Sequence, residues 1–360
     1  MTLSRSLSQE IQWQLNALVE QGAARSLQLG LGWRDQSLGI WASGFEGLKD
    51  QGRRVSPQTW YDLASLTKMI VTSSLTLWTL QARKIESLDD SLEKHISFLG
   101  ANIRGLSFRE LLEHRAGFPA GWEPARHEES RESKIKAFWG EVDALPRQNG
   151  ELYSDVGFLI LGFCLEYLWE GRLRDLISST LGLETELAFG PLRRRRWALV
   201  KRRSIASTLS LQSSTEELIG RVQDPRADWF EGDAGHAGLF GTARGVEAWA
   251  QKLYRAYHGK DTQWAEAIWR DQLDFQRPGR FLSGFDRPTA PSQSGSFFPP
   301  TTIGHLGYTG TSFWMDLESG WRVTLLGNRW APGIDSEKLK ILRPLFHDWL
   351  WHEVRSQLKA

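Results

Sequence analysis

The sequence predicts a two-lobed α/β fold. Three observations lead there: strand-like segments stand near both ends of the 360-residue chain, amphipathic helices flank them, and the long middle is mostly helical. Strands from the two ends can pair into one sheet with the terminal helices packed on it. The middle is then left as a helical lobe, with a cleft between the lobes. The predicted division gives residues 1–62 and 281–360 to an α/β lobe and 63–280 to a mostly helical lobe, together forming one unit.

Each element has its own ground. The N-terminal stretch sets Ile11, Leu15, Leu18 and Val19 on one helix face. "SLQLGLGW" and "SLGIWASG" follow as a hairpin joined at Arg34-Asp35-Gln36. Residues 65–83 read as a helix, because Leu66, Met69, Ile70, Ser73, Leu77 and Leu80 recur at steps of three and four. "SFRELLEHRAGFP" is a short helix closed by Gly117 and Pro119. "SDVGFLILGFCLEYLWEG" is a longer apolar helix that stops at Gly171, with Cys164 as a small buried hydrophobe. Two C-terminal strands turn about Glu318-Ser319-Gly320. A closing helix follows, kinked or broken at Pro344. "RPTAPSQSGSFFPPTT", 287–302, is a loop that either borders the cleft or simply connects.

Bulk properties remove several function classes. A net charge of +1 supplies no global field toward nucleic acid or membrane. The single cysteine rules out an internal disulfide and a Cys-rich metal site. No apolar run is long enough to span a bilayer, and the start lacks the pattern of a secretion signal. A cytoplasmic protein is expected from the sequence as written, or a periplasmic one if a leader has been removed. The run 193–203 carries seven cations. It reads first as a solvated face and second as a contact for an anionic surface or polymer.

Familiar chemical motifs are missing. There is no Gly-x-Ser-x-Gly elbow, no phosphate loop and no His-Glu-x-x-His pair, and the glycines at 232, 235, 238 and 241 miss dinucleotide-binding spacing. No metal or organic cofactor is expected. Ser-x-x-Lys occurs four times, at Ser65/Lys68, Ser91/Lys94, Ser133/Lys136 and Ser356/Lys359. At Ser65 the pair opens an apolar helix. Positions i and i+3 share a face there, and free N–H groups can receive an oxyanion. A serine hydroxyl needs a proton acceptor, and a lysine serves if burial or a nearby cation lowers its pKa. On this reading Tyr153 alone is a core or boundary aromatic, His305 a neutral histidine satisfied by a carbonyl, and Asp155 a helix N-cap. His236 is assigned to structure.

Taken together, "DLASLTK", "ELYSDVGFLILG" and "IGHLGYTGTSFWMD" resemble the three motifs of the penicillin-recognising serine hydrolases. The nearest branch is that of class C β-lactamases, DD-peptidases and esterases. The resemblance extends over most of the chain, through "LSFRELLEHRAGFP" and "GDAGHAGLFGTARGVEAW". It implies a β-lactamase/transpeptidase-like fold, with an antiparallel sheet flanked by helices plus a mostly helical lobe. It further implies acylation of Ser65, with Lys68 helping to deprotonate it and Tyr153 shuttling the proton to the leaving group. The backbone N–H groups of Ser65 and Tyr308 form the oxyanion hole. Asp155, His305, Gly307 and Thr309 are implied as substrate-binding. Two positions depart from the pattern. Asp155 stands where the family has Asn, and Leu306 where it has Thr. An ionised Asp155 holds Lys68 protonated and cannot donate to a substrate carbonyl. Both departures count against efficient β-lactam hydrolysis and favour an esterase or an amide hydrolase with a different acyl group. The substrate expected is an ester or amide: a peptidoglycan-type peptide, a small acyl ester or a β-lactam-like compound. The alternatives are a non-catalytic ligand-binding protein on the same scaffold, or an interaction module working through the basic run.

Overall fold

The computed structural model describes residues 3–48, 52–124, 128–183, 186–192 and 204–358; the basic run 193–203 lies outside them. Its largest feature is a seven-stranded antiparallel sheet. From edge to edge the strands are Gln36–Gly44, Ser26–Trp33, Arg322–Asn328, Ser312–Asp316, Thr302–Leu306, Phe285–Asp286 and Phe281–Leu282. Ser26 faces Asn328 and Gly32 faces Arg322, so the first strand is slotted between its own hairpin partner and the C-terminal strands. Every residue of Ser26–Trp33 but the last is buried, as is all of Arg322–Asn328. Strands covered on both faces lose the in–out alternation of a half-exposed sheet. Here the terminal helices Arg5–Glu20 and Lys338–Glu353 share one core with Leu27, Leu29, Leu31, Val323 and Leu325. Ile303, Phe313, Met315 and Leu326 belong to the larger, mostly helical core.

The helix Ala243–Tyr257 covers that second face. It is docked by a buried ion pair, Arg322 Nε to Glu247 Oε2 at 2.9 Å. Thr324 Oγ1 donates to the other carboxylate oxygen at 2.9 Å, and the remaining Arg322 nitrogens meet the carbonyls of Arg34, Gly320 and Gln36. A pair this dry holds only when its remaining donors and acceptors are satisfied, as they are here.

Several boundaries differ from those read in the sequence. Residues 65–83 are not one regular helix. A set of tight turns through Leu63–Lys68 leads into a wide π-helical stretch, Lys68–Ser73, and then the α-helix Ser74–Gln81. Such wide turns recur at functional sites. The helix predicted up to Gly117 spans only Phe108–Leu112, because His114 takes a left-handed φ of 55° and ends it early. Ser154, not Asp155, caps Asp155–Trp169: its Oγ accepts the Val156 N–H at 3.1 Å. The closing helix runs through Pro344 unbroken. The Lys340 carbonyl, left without an N–H by the proline, accepts Gln293 Nε2 at 3.0 Å instead.

A small sheet of Tyr61–Asp62, Leu239–Gly241 and Leu187–Phe189 sets the approach to Ser65. Among the described residues no helix is long and apolar enough to cross a membrane.

Candidate active site

The chain reaches Ser65 through a strained turn. Ala64 has φ of 47°, a left-handed value that costs a residue with a Cβ. Ser65 itself is half-buried, at the mouth of a cleft of about 560 Å³. One turn on, Lys68 is fully buried. Its Nζ donates to Ser65 Oγ at 3.0 Å, Asp155 Oδ1 at 2.8 Å and the His236 carbonyl at 3.0 Å. An ammonium has three hydrogens, and each has an acceptor. Burial pulls the Lys68 pKa down, but Asp155 first and then Tyr153 outweigh it, and the pKa is raised. Lys68 is therefore an ammonium at neutral pH. Of the other Ser-x-x-Lys pairs, Lys94 is largely exposed and paired with Asp90, and Lys136 is exposed.

Tyr153 and Asp155 arrive on a strap held to the segment 114–120. Leu152 N–H donates to the His114 carbonyl, Ser154 N–H to His114 Nδ1 at 3.0 Å, and Asp155 N–H to the Ala120 carbonyl. The Tyr153 ring lies tilted against the His114 ring, with centroids 4.5 Å apart, and its centroid is 5.1 Å from Lys68 Nζ. Burial raises the Tyr153 pKa, although 37% of the residue opens to the cleft, while the Lys68 charge and hydrogen bonding with Lys68 and Ser65 oppose the rise. The phenol keeps its proton at neutral pH. His114, missed in the sequence, is neutral: burial and then the Lys68 charge drive its pKa well below the usual value.

The third segment is the end of the strand Thr302–Leu306. His305 is buried, and its Nδ1–H donates to the Leu306 carbonyl at 2.7 Å. Its Nε2 has no partner among the described residues. Burial, then Lys68, lowers its pKa to about 4. After Gly307 the chain turns against the Ser65 segment: Thr309 Oγ1 donates to the Asp62 carbonyl at 2.8 Å and Thr311 Oγ1 to the Leu63 carbonyl at 3.1 Å. A Cβ at Gly307 would sit 1.9 Å from Thr311 Oγ1 and 2.8 Å from the Leu63 carbonyl, so only glycine fits. Among the described residues the N–H groups of Ser65 and Tyr308 donate to no protein acceptor.

Ser65, Tyr153, Asp155, His305, Gly307 and Tyr308 line the cleft, and Lys68 lies just beneath. Thr309 does not line it; its hydroxyl is committed to Asp62. The loop 287–302 contributes Gln293. No sequence motif points to Gln223, Asp224, Arg226, Arg280, Arg329 or Arg343, which also line the walls. His236 Nε2 donates to Asp224 Oδ1 at 2.9 Å. Burial pushes Asp224 up, but His236 and Arg226 prevail and hold it well below the usual carboxylate range. Asp155, Asp224 and His236 place ligand atoms within 4.8 Å of one another, the one such group among the described residues. Their negative charge is already met by Lys68 and by Arg226, whose Nη1 stands 4.0 and 3.8 Å from the two carboxylates.

Comparison with known proteins identifies the family and the fold. The sequence profile of the Beta-lactamase family matches residues 15–344. A "Putative D-alanyl-D-alanine carboxypeptidase" of Escherichia coli (strain K12) is 27% identical over 330 residues, covering 81% of this chain and 74% of that protein. Among solved structures, a penicillin-binding protein homolog from Caulobacter crescentus superposes with a TM-score of 0.72 at 14% identity, covering 96% and 98% of the two chains. EstCE1, described as a hydrolase with promiscuous acyltransferase activity, gives 0.69 at 18% identity, covering 95% and 99%. With the family profile matched over residues 15–344 and the fold shared with its solved neighbours, the chain belongs to the Beta-lactamase family.

Proposed function

We propose that the protein is a serine hydrolase working through an acyl-enzyme on Ser65. The observation that carries this reading is the single ammonium of Lys68 touching both Ser65 Oγ and Asp155, at the mouth of a cleft with two uncommitted N–H groups. Ser65 Oγ attacks an ester or amide carbonyl and forms a C–O bond. Lys68, once neutral, takes the hydroxyl proton. The carbonyl oxygen becomes an oxyanion received by the N–H groups of Ser65 and Tyr308. Tyr153 gives its proton to the departing oxygen or nitrogen and regains one from Lys68. A water then attacks the acyl-serine, releases the acid and restores Ser65. Asp155, by raising the Lys68 pKa, makes the neutral amine scarce at pH 7, so turnover rises with pH.

The names of two relatives support a substrate class. The Escherichia coli relative carries a carboxypeptidase name, and EstCE1 a hydrolase description. D-alanyl-D-alanine peptides and small acyl esters are the substrates proposed here. A second reading, a non-catalytic binding protein, is favoured by one observation: Lys68 rests in its charged form. Turnover of p-nitrophenyl esters, nitrocefin and D-alanyl-D-alanine peptides by the wild type and by Ser65→Ala separates the two. Hydrolysis that Ser65→Ala abolishes supports the enzyme; binding without turnover by either protein supports the rival.

A further inference from the structure

We propose that Asp62 is a positioning residue for acyl transfer: its buried carboxylate locks the left-handed turn at Ala64 that aims Ser65 into the cleft. This inference rests on the proposed role of Ser65 and adds to it a group that touches neither substrate nor the reacting atoms.

The geometry centres on one side chain. Asp62 is buried, and its two carboxylate oxygens take two different backbone donors: Oδ1 accepts the Ala64 N–H at 2.9 Å, and Oδ2 accepts the Gln223 N–H at 2.8 Å. Its own carbonyl accepts Thr309 Oγ1 at 2.8 Å. Asp62 thus ties together the turn before Ser65, the cleft wall at Gln223 and the chain beside Tyr308. Ala64 needs such a tie. With φ of 47° its Cβ crowds the backbone, and an alanine free to relax leaves that region. Leu63 is fixed as well, by its N–H to the Leu239 carbonyl at 2.9 Å and by Thr311 Oγ1 to its carbonyl. Ala64 N–H, however, has only the carboxylate.

Burial raises the Asp62 pKa to about 6, while the Gln223 and Ala64 N–H groups lower it and Asp224 adds to the rise. At neutral pH the group is therefore a carboxylate, able to accept from both donors at once. An asparagine cannot do the same. One of its two polar atoms is an NH2, which would face a backbone N–H with another donor. Whichever donor the NH2 faces, Asp62→Asn breaks the tie that anchors the turn to the wall at Gln223, so the turn is no longer locked.

The test uses the full chain and the ester substrate that the wild type turns over. Asp62→Asn is expected to lower kcat on the order of 10- to 100-fold with KM within about three-fold, the signature of a misaimed nucleophile rather than lost substrate contacts. Ala64→Gly adopts the left-handed turn without strain. Activities are read as a double-mutant cycle: relative to Ala64→Gly, Asp62→Asn/Ala64→Gly is expected to lose at most about two thirds, on a logarithmic scale, of what Asp62→Asn loses relative to wild type. A purely structural role for Asp62 predicts no such rescue. If Asp62→Asn does not fold, Thr309→Val is read in its place. It removes one neutral hydrogen bond to Asp62 and is expected to lower kcat about three- to ten-fold with KM held. An unchanged kcat in the variant read, or an Asp62→Asn loss that Ala64→Gly fails to rescue, overturns the proposal. Ser65→Ala keeps the two failures apart: if it retains turnover, the Ser65 mechanism has failed, whereas silent Ser65→Ala with normal Asp62→Asn sinks the positioning role alone.

Discussion

Two buried bases flank Ser65 and have opposite fates. Lys68 is held charged; His305 is held neutral. Both lie out of water, and burial alone drives each toward its neutral form. The difference is the partner. Lys68 Nζ meets a carboxylate at 2.8 Å, whereas His305 Nδ1 meets a carbonyl at 2.7 Å and Nε2 meets nothing among the described residues. A dipole does not repay the cost of a buried cation; a counter-ion does. The lesson is that one residue, Asp155, where the family resemblance expects Asn, sets the charge of the whole corner.

Removing the charged base tests the comparison most severely. Lys68→Met is expected to lower kcat/KM about 10²- to 10⁴-fold, because Ser65 loses its proton acceptor and Asp155 is left unpaired. A steady-state assay on the best ester reads this directly, and a loss below ten-fold breaks the assignment.

Asp155→Asn is the next largest. Losing the counter-ion of a fully buried ammonium is expected to cost about 3 kcal/mol at pH 7 by denaturant titration. The sign follows from the raised Lys68 pKa. The stability that the pair contributes is full below the unfolded lysine value of about 10.4 and is lost as pH rises through the folded value. The gap between wild type and variant should therefore narrow at high pH. The same substitution lowers the Lys68 pKa, so the rising limb of the pH–rate profile moves to lower pH. A limb that stays in place contradicts Lys68 as the base.

The neutral corner should behave in the opposite way. The folded His305 pKa of about 4 lies below the unfolded value of about 6.5, so the unfolded chain binds more protons between them. Wild-type stability falls as pH drops through that window, and His305→Gln should show a shallower fall by up to about 3 kcal/mol. His114 and His347 act in the same direction in both proteins and cancel in the comparison. Equal slopes would mean that His305 is not held neutral.

Leu306→Thr should have the smallest effect. It restores the hydroxyl that the resemblance expects at the cleft edge. It should change kcat/KM for nitrocefin or a D-alanyl-D-alanine peptide by about 1 kcal/mol, less than ten-fold, with ester turnover unaltered.

Much of this was legible in the sequence, for definable reasons. The hairpin at residues 26–44 and the strands about Gly320 announced themselves by composition and turn residues, and Ser65, Tyr153 and His305 by three spaced motifs. What stayed hidden depends on long-range contacts. The early stop at His114 follows from its ring docking under Tyr153, and the unbroken helix at Pro344 from Gln293 supplying the missing donor. Thr309 looked free for substrate only because its partner, the Asp62 carbonyl, lies 247 residues away along the chain. Arg226 and Gln223 lie on a stretch with no motif and reach the cleft only through the fold. The division into lobes at 62/63 and 280/281 remains our proposal.

The central claim is that Ser65 carries the acyl group. Intact-mass analysis and peptide mapping after treatment with a fluorophosphonate or a fluorescent penicillin address it most directly. The account predicts one adduct, on the peptide that contains Ser65, and none in Ser65→Ala. An adduct on a different side chain with Ser65 unmodified, or equal labelling of Ser65→Ala, would contradict it.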